Sequence, residues 1–138
     1  MFTEAMNGPA RQAQLRGFLR ACLASTCGEE AARLQEAAVL MGMSAEDRSV
    51  VDAMLACGAT ESAALLVMGR GRPFLLSQGG TGTCLASAVC ADGEEKTAEG
   101  ATLALAILAA HASALLADIE GSPVAAWRSA PGPHARMH

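Results

Sequence analysis

The chain has no tyrosine, a single tryptophan (Trp127) and only 3% aromatic residues. With so few flat side chains it cannot build the stacking platforms on which single-stranded nucleic acids or sugars lie. Cations are scarce as well. Ten Lys and Arg stand against 14 Asp and Glu, for a formal net charge of −4, so no global positive field draws the chain to nucleic acid or an anionic membrane. The first residues, MFTEAMNGPARQ, lack the apolar run of a secretory signal. The five cysteines are odd in number and form no C-x-x-C pair, which argues against a disulfide framework and against a zinc site. Unpaired thiols suit a reducing compartment, so the expected location is cytoplasmic, with no metal and no cofactor.

What the chain does have is apolar mass. Its 138 residues are 51% hydrophobic, enough for one domain around one core. The longest apolar stretch, Lys96 to Glu120, carries no charge between Ala101 and Ala117. Leu105, Leu108, Ala112, Leu115 and Ile119 step by three and four, and Leu103, Ile107, Ala110 and Ala114 form a second stripe beside them. The pattern predicts one long helix, apolar on nearly every side. About 23 residues of helix would span roughly 35 Å, long enough for part of it to pack on a second copy. Leu105, Leu108, Leu115 and Ile119 are therefore the expected interface of a homodimer. A membrane span is disfavoured by the high alanine content, by central His111 and Ser113, and by flanks without aromatic or basic anchors. Asp92 with Glu95, or Thr97 with Glu99, is the expected cap, and Gly121 with Pro123 the stop.

Upstream, Pro9 opens a helix over 10–24 that buries Leu15, Phe18, Leu19, Cys22 and Leu23. Its Arg11, Arg16 and Arg20 lie on other faces, as candidates to meet an anion or an acidic partner. Thr26 followed by Glu29, and Ser44 followed by Asp47, are capping signals for two further helices, the second ending at Gly58. The continuous apolar run Ser62–Met68 reads as a strand, Phe74–Gln78 as a second and Thr83–Ala91 as a third. The first two would form a hairpin with Arg70 and Gly71 at its tip and Arg72 beside it. In the third strand Leu85, Ser87 and Val89 face one way, and Cys84, Ala86, Ala88 and Cys90 the other. Asp92-Gly93 is read as the turn into the long helix. The expected class is α+β: N-terminal helices, a three-stranded antiparallel meander and a long C-terminal apolar helix packed on the sheet. The expected organisation is a flexible arm (1–8), a single α+β domain (9–121, helical to 58) and an extended or disordered tail (122–138), whose Trp127 anchors on its own core or on a second chain.

Short motifs add little chemistry. R-G-R-P at 70–73 matches the core of a minor-groove hook, but it lies between apolar runs rather than in a basic tail. Residues 38–51 have helix-turn-helix spacing, yet Glu46, Asp47 and Asp52 would meet phosphates with like charge. S-Q-G-G-T-G-T-C lacks the Lys-Ser or Lys-Thr of a phosphate loop. Cys27, at the start of a helix, is the candidate reactive thiol, since free N–H groups favour a thiolate, although Glu29 and Glu30 oppose it. His111 could supply the polar contact of a pocket between sheet and helix, with Ser87, Cys84 and Cys90 around it. The leading expectation is a non-catalytic homodimeric interaction or regulatory module. The alternatives are a small-molecule-binding protein or thiol enzyme built on that pocket, and a weak nucleic-acid adaptor using the arginines.

Overall fold

A computed structural model describes residues 8–68, 71–78, 80 and 82–121. The readings made for the arm, for Arg70 and for the tail with Trp127 fall outside these residues. In chain order the described elements are α1 (Pro9–Ala24), a short 3-10 turn (Cys27–Glu29), α2 (Glu30–Leu40), α3 (Ala45–Ala56), α4 (Thr60–Met68), β1 (Phe74–Gln78), β2 (Cys84–Val89), β3 (Glu95–Gly100) and α5 (Leu103–Glu120). The strands form one antiparallel meander, β1-β2-β3, and α5 packs across β2 and β3. The class is α+β.

The helix boundaries follow from local chemistry. Glu29 Oε1 accepts from the Thr26 N–H at 2.7 Å, which closes the capping box. Those Thr26 donors hold the Glu29 carboxyl below its ordinary range. Ser44 Oγ accepts from Asp47 N–H at 3.1 Å and starts α3. Gly58, at φ +79, ends it with the left-handed residue that only glycine adopts freely.

Two segments depart from the expected assignment. Ser62–Met68 belongs to helix α4, not to a strand, so Gly71 and Arg72 join a helix to a strand and form no hairpin tip. A continuous apolar run has no period of its own, and here strong helix formers (Ala, Leu, Met) outnumber the single β-branched Val67. Burial of Ala63, Ala64, Val67 and Met68 is helically spaced. The long helix also begins later than expected. Residues 95–100 form β3, and the cap is Thr102, whose Oγ1 accepts from Leu105 N–H at 3.2 Å. Asp92-Gly93 is the turn of a β-hairpin: Gly93 takes φ +93, Cys90 N–H donates to Glu94 O at 2.6 Å and Asp92 Oδ1 accepts from Glu94 N–H.

α5 is the centre of the molecule. Leu105, Ile107, Leu108 and six of its alanines are fully buried between α1, α4 and the inner face of the sheet, where Ala86 and Ala88 meet it. The approach is close: a Cβ on Gly100 would come within 2.5 Å of the Ala106 nitrogen. By length and composition α5 could cross a membrane, but most of it is enclosed by the fold. Leu105 and Leu108 are core residues with no exposed surface, while Leu115 and Ile119 are half-buried and packed on that core.

Candidate functional site

β1 is the element least supported by the rest of the fold. Leu76 is half-buried, and the other four residues of F-L-L-S-Q are exposed, Leu75 at 66% and Phe74 at 39%. Among the described residues the strand pairs with β2 on one side only, with Leu76 opposite Ala86. Val89 N–H donates to Pro73 O at 3.0 Å, which turns the polar groups of residue 73 toward β2. Antiparallel ladders alternate, so residues 75 and 77 also face β2, and the N–H and C=O of Phe74, Leu76 and Gln78 point out from the free edge. Natural edges are blunted with charge, proline or bulges. β1 carries no charged residue, and its nearest proline, Pro73, lies before the strand.

The base of this strand is clamped. Arg72 donates from Nη1 to Val89 O at 2.7 Å and from Nη2 to Asp118 Oδ2 at 2.8 Å, and Asp118 Oδ1 accepts from Ala91 N–H at 2.9 Å. A carboxylate near a helix C-terminus is otherwise unfavourable. Here the guanidinium and the amide compensate, and they tie α5 to the end of the sheet.

His111 lies beneath β1, its ring 6.0 Å from that of Phe74. It is buried, and its Nδ1 is 3.0 Å from Ile107 O. A carbonyl can only accept, so Nδ1 carries the proton and Nε2 is the bare nitrogen, buried without a hydrogen-bond partner among the described residues. Burial pushes the imidazole pKa down, the Ile107 carbonyl opposes this, and the Arg72 cation adds to the depression. The folded state therefore resists a proton that the unfolded chain takes up below its ordinary value of about 6.5. This contribution to stability is fully present above that pH and is lost as pH falls toward the folded pKa, by at most about 1.4 kcal/mol per pH unit. Urea midpoints should drop between pH 7.5 and 5.5, and His111→Leu should flatten that interval. A wild-type midpoint unchanged across it would refute the assignment.

The other expected site residues do not converge on His111. Ser87 lies on the opposite face of the sheet, its Oγ 2.7 Å from Thr97 Oγ1. Cys84 and Cys90 face α5 as expected, but at the two ends of β2, and Ala86 and Ala88 fill the space between them. Cys27 is exposed on the 3-10 turn, in the N-terminal helical region. All five cysteines are free, and among the described residues no group of three metal-ligating side chains occurs. The arginines are dispersed as well. Arg11 Nη1 donates to Leu40 O at 2.6 Å and closes the end of α2, Arg16 pairs with Glu120, and Arg20 is exposed beside them. The sequence reading placed β1 as a strand at Phe74–Gln78 but missed its edge as a candidate site, whose signal was an apolar strand with no charged residue to protect it. No protein-family model matches the sequence, and no curated protein or solved structure is significantly similar to it.

Proposed function

We propose that this protein is a non-catalytic interaction module that works as a homodimer, joined through β1 rather than through α5. The observation that carries the reading is the free edge of β1, apolar, uncharged and exposed. Two copies related by a two-fold axis through Leu76 would place Phe74 opposite Gln78 and Leu76 opposite its own symmetry mate. All the outward N–H and C=O groups then pair, roughly six hydrogen bonds across the axis. The product is a continuous six-stranded sheet. Leu75 of each copy adds to the half-buried Leu85 and Val89 on its outer face. Five free thiols suit a reducing, cytoplasmic setting.

Sedimentation at increasing concentration tests this. The wild type should be a dimer. Leu76→Pro removes one outward N–H per copy and leaves the bonds to β2 in place, so it should run as a monomer with unchanged far-ultraviolet circular dichroism. Leu75→Lys, at an exposed position, should weaken the dimer at low salt without touching the core. A wild-type monomer at tens of micromolar, or dimers in both variants, would refute the reading.

A further inference from the structure

A cleft lies away from the sheet, between α1 and α2, an open groove of about 900 Å³. Ala13, Gly17, Phe18, Ala32, Val39 and Leu40 line it, and Val39 is 59% exposed. A side chain on Gly17 would meet nothing within 4 Å. The groove is mostly apolar, although Gln14, Gln35 and Glu36 also line it, and its volume lies in the range of small-ligand pockets and exceeds that of a large aromatic side chain.

We infer that the occupant is the chain's own C-terminal segment, with the indole of Trp127 in the groove. The point of departure supports this. The Glu120–Arg16 ion pair holds the end of α5 against α1, one residue from Gly17. To enter the groove the chain must cross α1 over the low ridge at Ala13 and Gly17. From Gly121 to Trp127 is six residues, which reach about 20 Å when extended, enough to go round a helix about 10 Å across. Charge agrees as well. Residues 122–138 contain Arg128 and Arg136 and no acid, while the α2 wall presents Glu36, half-exposed and bridged to Arg33, with Glu29 and Glu30 at its start. Arg128 follows the indole directly in sequence, so with the indole in the groove it would come within reach of Glu36. The surface is separate from β1, so the inference stands whether or not β1 joins two copies.

Trp127 is the only tryptophan and there is no tyrosine, so the intrinsic emission of the full-length protein reports this residue alone. The expected result is blue-shifted emission and acrylamide quenching severalfold weaker than for a free peptide of residues 122–138, both independent of protein concentration. Gly17→Leu fills the groove at a position where leucine also favours the helix. It should move the emission to the red and restore peptide-like quenching. Val39→Glu should do the same and serves if the first variant folds poorly. Wild-type quenching equal to that of the peptide, or shielding that survives both variants, would overturn the assignment. Shielding that grows with concentration would also overturn it, because the tail of a second copy would then occupy the groove.

Discussion

Leu108→Glu should abolish folding rather than merely separate subunits. Leu108 has no exposed surface and sits at the middle of α5. Removing a buried leucine side chain costs about 3–5 kcal/mol. The new carboxylate has no cation at that position, and its desolvation adds several kcal/mol more, even if it escapes by taking up a proton. Against a total stability of about 5–15 kcal/mol the sum leaves no folded state. Circular dichroism should show loss of cooperative unfolding, whereas Leu75→Glu on the exposed strand should unfold almost as the wild type does. A folded, soluble Leu108→Glu monomer would mean that α5 is an interface after all and that the core lies elsewhere.

Asp118→Ala should cost about 2–3 kcal/mol, because a charged hydrogen bond and an amide acceptor disappear together and Arg72 is left half-enclosed. The figure lies below that for a fully buried pair because Arg72 and Asp118 keep 17% and 23% of their side-chain surface. A second readout separates electrostatics from packing. The Cys90 thiol pKa is raised first by burial and then by the Asp118 and Asp92 charges. Removing Asp118 relieves part of that effect, so Cys90 should react faster with a thiol reagent in the variant, at a pH where the protein remains folded. Buried Cys22, pushed up to about 12 mainly by burial, should stay inert in both proteins. Unchanged stability and unchanged Cys90 reactivity would show that the clamp contributes nothing.

Local chemistry was legible in the sequence wherever one residue decides the matter within a turn of chain. Thr26 with Glu29, Ser44 with Asp47 and Gly58 all cap helices as their spacing implies. The inward set Cys84, Ala86, Ala88 and Cys90 followed from alternation alone. The reading failed where propensity and tertiary context compete. Glu95–Gly100 is rich in helix formers yet is a strand, because Asp92-Gly93 closes a hairpin and Gly100 permits contact with α5. The class survived that error because the strands shifted by one element: α4 left the sheet and β3 entered it. The pairings Arg72–Asp118 and Arg16–Glu120 span 46 and 104 positions, and no local pattern announces partners so far apart.

The alanine contact between α5 and β2 also constrains how this chain can change over time. Ala86 and Ala88 on the strand meet a helix whose buried surface includes Ala104, Ala106, Ala109, Ala110, Ala112 and Ala114. In a core of mixed sizes, one residue can shrink as its neighbour grows. Wherever alanine meets alanine, both sides are already near the minimum, and overpacking by even one or two methylenes costs about 1–3 kcal/mol. Glycine is the only smaller choice, and within the helix it costs about 1 kcal/mol of propensity. Compensating exchanges are therefore closed off along the seam. Descendants of this sequence should diverge freely around α3 and on the outer face of the sheet, while the alanines of α5 and β2 hold their volume.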